Sequence, residues 1–177
     1  MPIINQTIIR NATILTMCAQ HGSRPINGDI LIENGRISAI GNDFAALPDA
    51  VMIDGKDRLV MPGLINAHTH SSETFFRGRY EGMPLEIWLL YAYPLLMGPT
   101  IDQSLLYLRS MFLAMESLRN GVITLCDDFF DPPAHDLSRL STVFKAYKDA
   151  NICTNWGYSL ATQQLHILCG SASKTLR

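Results

Sequence analysis

The chain has 177 residues, 47% of them hydrophobic, and a formal net charge of −2, which supplies enough apolar material for a core and gives no sign of disorder. It carries no block of lysine or arginine, which argues against a nucleic acid or a membrane surface held by charge. The most apolar long stretch, residues 85–97, is too short to cross a bilayer and contains Glu86 and Pro94. Partners are therefore expected to be small and neutral.

The amino terminus lacks a basic segment followed by an apolar one, so the sequons at Asn5 and Asn11 read as chance. Four widely spaced cysteines, Cys18, Cys126, Cys153 and Cys169, form no C-x-x-C pair. Buried free thiols in a reducing, cytoplasmic compartment are the simplest reading.

Residues 13–17, 29–33, 36–40 and 51–54 are short β-type runs separated by turn chemistry. Between the second and third, Asn34-Gly35 is a strong hairpin signal, because a type I′ turn demands positive φ at both central residues. A β-rich first domain over residues 1–62 follows.

At residues 61–78, reading MPGLINAHTHSSETFFRG, an apolar run opened by Pro62 and Gly63 ends in His68 and His70. The run reads as a buried strand. Side chains at i and i+2 of a strand share a face, so both imidazoles can approach one metal ion. An H-x-H pair alone is weak evidence, since a buried histidine is usually a core residue satisfied by backbone; its context is what strengthens it.

Beyond Leu64 strands and helices alternate. Thr100 with Gln103 predicts a capping box, and Leu105, Leu108, Phe112, Met115 and Leu118 recur at helical spacing up to a stop at Asn120-Gly121. Residues 122–126 predict a buried strand, followed by a loop through Pro132 and Pro133. A helix over 137–150, with Leu140, Phe144 and Tyr147 inward, and a strand over 152–158 complete the pattern. Apolar strands alternating with helices indicate parallel β/α units. Residues 161–177 show no periodicity.

The segment PGLINAHTH, with Arg77-Gly78 after it, resembles the amidohydrolase superfamily, and within it the branch of aromatic-ring aminohydrolases and chlorohydrolases. ENGRISAIG, residues 85–88 and GVITLCDDF follow the order expected of that family. The resemblance implies an α/β fold: a partial (β/α)8 TIM-type barrel, its first two or three β/α units lying in residues 63–177, preceded by a small, incomplete β-sandwich-like domain in residues 1–62. It also implies a divalent metal, zinc or iron, held in part by His68 and His70, and hydrolysis of C–N or C–Cl bonds in ring amidines and heteroaromatics. Family members carry two more histidines and an aspartate on later strands, and a whole barrel takes about 250 residues, more than the chain holds. The expectation is a truncated chain, inactive alone.

Residues 71–97 correspond to the long first loop that covers the pocket in such enzymes. Its aromatic side chains, Phe76 and Trp88 foremost, suit a flat heteroaromatic ligand, and equally a helix packed on the barrel mouth. Relatives that deaminate adenosine-type thioethers carry a ribose-binding Glu two residues after the proline corresponding to Pro94; Leu96 stands there, which disfavours that chemistry. Arg77 and Arg79 read as ion-pair partners of loop carboxylates, and Asp127 and Asp128 as loop caps. His21, His135 and His166 read as solvated surface. Two rival readings stay open: a non-catalytic fragment that binds a partner, or itself, through an open barrel edge, and a histidinol-phosphatase-like phosphoesterase, which also begins with H-x-H but usually near the chain start.

Overall fold

The structure, a computed structural model, describes residues 5–93, 101–129 and 136–156. Pro94, Leu96, Thr100, Pro132, Pro133, His135, His166 and Cys169, each given a reading above, lie outside them, as do residues 157–177. The chain divides into two compact units, Met1–Pro62 and Gly63–Arg177.

The first unit is one mixed sheet. Strands β1 (Gln6–Ile14), β2 (Ile26–Glu33), β3 (Arg36–Gly41) and β4 (Val51–Asp54) lie in the order β3-β2-β1-β4, with β5 (Leu59–Val60) also on β1. The β1/β2 and β2/β3 pairs are antiparallel, whereas β4 and β5 run parallel to β1. The β2–β3 hairpin turns at Asn34 (φ +52°) and Gly35 (φ +75°), the positive angles the dipeptide predicts. Ala12, Ile14 and Ile30 form the small core. Among the described residues of this unit the strands form this one sheet, and Val51, Met52 and Ile53 of β4 are exposed.

A buried carboxylate organises this sheet. Strand β1 bulges between Ile9 and Ala12, with Asn11 at φ +57°, a kink that frees one backbone donor from the ladder. Asp29 takes it up: its Oδ1 accepts from Asn11 N at 2.9 Å, and its Oδ2 from Arg10 Nη1 at 2.5 Å and Asp43 N at 3.2 Å. The Asn11 backbone N–H first, then the Arg10 guanidinium, hold the carboxyl below the usual aspartate range.

The second unit has a three-stranded parallel sheet, β6 (Leu64–Thr69), β7 (Val122–Asp127) and β8 (Cys153–Trp156), in chain order. A short 3-10 turn (Ser71–Phe76) and helices α1 (Leu85–Ala92) and α2 (Gln103–Arg119) connect β6 to β7, and α3 (Leu137–Asp149) connects β7 to β8. Gly63 lets β6 enter beside β7, since a β-carbon there would stand 2.6 Å from Ile123. The core joins Leu106, Leu113 and Ala114 of α2, Leu125 of β7, Val143 and Tyr147 of α3, and Ile152.

Helix α2 starts at Gln103 under Asp102, whose carboxylate accepts from Ser104 N at 2.7 Å. Packing departs from the sequence expectation on both α2 and α3. The buried stripe of α2 is Leu106, Arg109, Ser110, Leu113 and Ala114, so Leu105, Leu108, Phe112 and Met115 face solvent. The stripe tolerates polar residues because each finds a partner: Arg109 Nη1 donates to Ser72 O (3.1 Å) and Ser110 Oγ to Leu106 O (3.0 Å). On α3, Tyr147 is inward as predicted, but Phe144 is exposed, and Arg139 is buried with its guanidinium on Ile101 O at 2.8 Å.

Strand β6, expected to be buried, is largely exposed, with Ile65 70% accessible. An apolar strand run is buried only where both sheet faces are covered, and the described residues leave those of β6 open. The cysteines among the described residues are free but not buried: Cys153 and Cys18 are exposed and Cys126 is half-buried. Cys18 Sγ stands 3.1 Å from Thr16 Oγ1 and 3.5 Å from His21 Nδ1; the Thr16 hydroxyl first, then the His21 backbone N–H, lower the thiol to about 6.

Candidate metal-side pocket

Strand β6 delivers His68 within its last turn of pleat and His70 one residue past its end. Pairing of β6 with β7 is irregular between Asn66 and Thr69 and resumes at Thr69 opposite Asp127. His68 therefore sits where the ladder loosens, with its backbone N–H on its neighbour Asn66 Oδ1 (3.2 Å). The two imidazoles stand with centroids 4.7 Å apart, edge to face.

The tautomer of His70 follows from its partner. Nδ1 lies 2.7 Å from the backbone carbonyl of Asp128, and a carbonyl only accepts, so Nδ1 carries a proton and, in the neutral ring, Nε2 is the nitrogen with the lone pair. Histidines that ligate metals commonly have the other ring nitrogen fixed in this manner. Asp128 is itself anchored, its N–H donating to Thr69 O at 2.8 Å.

Behind the pair lies a buried polar joint. Asp127, the last residue of β7 and fully buried, accepts from Ser71 N (2.8 Å) and from the Tyr147 hydroxyl (2.6 Å). Burial pushes the Asp127 carboxyl above the usual range, and burial together with this carboxylate pushes the Tyr147 phenol up as well. The joint caps the 3-10 turn that follows His70, so the loop-cap reading of Asp127 describes its geometry, while no local pattern points to Tyr147 as its partner.

A cavity of about 420 Å³ opens beside the histidines, lined among others by His68, His70, Glu73, Phe76, Arg77 and Trp88. Phe76 and Trp88, singled out from sequence, both line it; Trp88 also packs edge-on against Tyr93 at 5.8 Å. Arg77 forms an ion pair with Glu116 on α2, and not with a loop carboxylate. Arg79 lies over the Tyr80 ring at 5.6 Å. Glu73 was missed: its Oε1 accepts from Tyr93 Oη at 3.0 Å, and Tyr93 Oη in turn lies 2.8 Å from Ser72 Oγ.

The donor set fits one side of a metal site. Two neutral imidazoles suit zinc or ferrous iron, but a catalytic zinc takes three protein ligands and an open position. No group of three histidine, cysteine, aspartate or glutamate side chains placed to hold an ion occurs among the described residues. No helix among them is long and apolar enough to cross a membrane.

Parallel β/α units with a polar rim at the carboxyl ends of their strands define an α/β protein whose site belongs at that rim. Residues 59–161 match the amidohydrolase family, and the chain belongs to that family. It is 36% identical over 124 residues to a 5'-deoxyadenosine deaminase of Methanosarcina barkeri, covering 70% of this chain and 28% of that one. It is 35% identical over 133 residues to a 5-methylthioadenosine/S-adenosylhomocysteine deaminase of Carboxydothermus hydrogenoformans, covering 72% and 30%. Among solved structures, a triazine hydrolase variant superposes with a TM-score of 0.74 at 26% identity, over 86% of this chain and 35% of that one. Zinc-bound atrazine chlorohydrolase from Arthrobacter aurescens TC1 gives 0.70 at 25% identity, over 86% and 35%. The chain thus spans less than a third of the length of these curated relatives.

Proposed function

We propose that the chain forms the amino-terminal part of a metal-dependent amidohydrolase, with residues 1–62 as its β domain and residues 63–177 as the opening β/α units of its hydrolase barrel. The reaction class is hydrolysis of a C–N or C–Cl bond on a ring amidine or heteroaromatic. The observation that carries this reading is the strand-end pair His68 and His70, rings 4.7 Å apart, with His70 oriented by the Asp128 carbonyl at the mouth of an aromatic-lined cavity. The names of the relatives support it: deaminases of adenosine-type compounds on one side, triazine and atrazine hydrolases on the other. A nitrogen-rich ring is common to both. Leu96 stands where thioether deaminases carry a ribose-binding Glu, so the proposal is confined to the ring.

Each residue has a defined task. His68 and His70 would hold a divalent zinc or iron through lone pairs, His70 using Nε2. Such an ion supplies Lewis acidity and makes water a nucleophile near neutral pH. The Asp128 carbonyl keeps the Nδ1 proton of His70 in place, and the Asp127–Ser71 bond fixes the backbone just after it. Phe76 and Trp88 offer flat apolar surface to a ring and exclude water.

Two imidazoles hold an ion weakly, no third ligand is placed beside them among the described residues, and Asp127 at the end of β7 is already engaged by Ser71 N and the Tyr147 hydroxyl, so the 177-residue chain is expected to show no turnover alone. Members of a catalytic unit act non-additively, and little residual rate remains when several are missing. The test is an assay of the chain with zinc or ferrous ion on a panel of aminated and chlorinated ring compounds. A reproducible rate that disappears in the His68→Ala, His70→Ala double variant would show that other residues or a second subunit complete the site.

A second reading rests on the exposed apolar side chains of β6, β7 and α2, including Leu64, Ile65, Ile123 and Phe112. Open parallel strands with apolar flanks favour association, as in a non-catalytic fragment that binds a partner or itself. A monodisperse oligomer in solution would favour that role, whereas polydisperse material would speak against it.

A further inference from the structure

We propose that Glu73 is a specificity residue of this pocket, and that it selects rings bearing N–H donors, that is, amino-substituted or amidine-type heteroaromatics, over rings that present only acceptor atoms or negative charge. The inference rests on the reading of the cavity as the substrate site and names what that site prefers.

Three observations carry it. Glu73 lines the cavity together with both histidines, Phe76, Tyr80 and Trp88, so a ring lying on the aromatic surface has a carboxylate within the same enclosure. The carboxylate is held in place: Tyr93 Oη donates to Oε1 at 3.0 Å, and Tyr93 is itself fixed by Ser72 Oγ at 2.8 Å and by the edges of Phe76 and Trp88 at 6.1 and 5.8 Å. One oxygen is thus engaged by Tyr93 while the other has acceptor capacity for a ligand.

The third observation is the charge balance. Glu81 also lines the cavity, and Arg77, the cationic side chain on the same wall, forms its ion pair outward with Glu116. In the absence of a bound ion the open cavity therefore presents two carboxylates against one arginine whose charge is already matched. A ring amine donates to a carboxylate, and a charged acceptor roughly doubles the strength of a neutral hydrogen bond. A ring acceptor atom or a deprotonated ring meets like polarity there and must shed water without recompense.

The test uses the 177-residue chain with two probes of the same ring and opposite edges, 2,4,6-triamino-1,3,5-triazine and its 2,4,6-trimethoxy counterpart, which has oxygen acceptors and no N–H, titrated while tryptophan fluorescence and the ¹H–¹⁵N spectrum are followed. The expected result is perturbation of Trp88 and binding of the triamine, affinity for it reduced about tenfold in Glu73→Gln (about 1.4 kcal/mol), and little binding of the trimethoxy ring to the wild type. Gln keeps the volume of Glu and adds a donor, so the same variant is expected to narrow the preference between the two rings. Circular dichroism of Glu73→Gln matching the wild type guards against a folding effect, and Tyr93→Phe, which frees the carboxylate without removing it, is expected to weaken the triamine less than Glu73→Gln does. Equal affinity of wild type and Glu73→Gln for the triamine overturns the role of Glu73 while leaving the pocket as a ring site. Failure of the wild type to bind the triamine at millimolar concentration overturns both.

Discussion

The hydroxyl of Tyr147 donates to the carboxylate of Asp127 over 2.6 Å, with both side chains buried. That bond ties the middle of the second unit's core to the rim: Tyr147 packs with Leu106, Leu125 and Val143, and the same carboxylate holds the backbone N–H of Ser71, next to His70. Tyr147→Phe keeps the packing and removes one donor from a buried carboxylate. The expected cost is about 1–3 kcal/mol, read as a lower urea midpoint. Both tryptophans, Trp88 and Trp156, belong to the second unit, so their fluorescence reports it. A midpoint unchanged or raised would show that the bond contributes nothing to the fold.

In the first unit, stability is expected to depend on pH through Asp29. Its folded-state carboxyl lies below the ordinary value because of the Asn11 N–H and the Arg10 guanidinium. A depressed aspartate contributes stability that is fully present above its unfolded value of about 3.9 and is lost as pH falls through the folded value. Hydrogen exchange of the β1 and β2 amides should therefore show protection falling below about pH 4. Asp29→Asn should lower protection at pH 7 by about 2 kcal/mol and flatten the acid dependence. Identical pH profiles for wild type and variant would contradict the assignment.

How much of this was legible in the sequence depends on the range of the interaction. Local chemistry was legible: the Asn34-Gly35 turn, the strand preceding His68, and the switch from turn-rich β runs to alternating strands and helices all correspond to observed elements. Buried faces were less so. The periodic leucines of α2 predicted the wrong stripe because apolarity was the only signal, whereas burial of Arg109 and Ser110 depends on the Ser72 and Leu106 carbonyls that receive them. Strand β6 reads as buried from composition, yet burial needs covering elements that a strand's own residues do not encode.

At the candidate site, His68, His70, Phe76 and Trp88, which spacing, aromatic content and the family resemblance single out, line one cavity. Those signals do not single out Glu73 or Tyr147. Glu73 sits three residues after His70 in a segment with no periodic signal, and its meaning comes from Tyr93, twenty residues on. Tyr147 reads as an ordinary inward residue of an amphipathic helix until the buried Asp127 is placed beneath its hydroxyl. Contacts between residues far apart in the chain carried the information that the pattern lacked.

The central claim, that His68 and His70 form one side of a metal site with Nε2 of His70 free to ligate, is tested most directly by ¹⁵N-detected histidine spectra during titration with zinc. The account predicts that Nε2 of His70 and a ring nitrogen of His68 respond together at the same zinc concentration, with weak affinity, while Nδ1 of His70 stays protonated on the Asp128 carbonyl and His21 does not follow them. Zinc that binds with no response at either ring, rings that titrate independently, or a His70 that ligates through Nδ1 would contradict it.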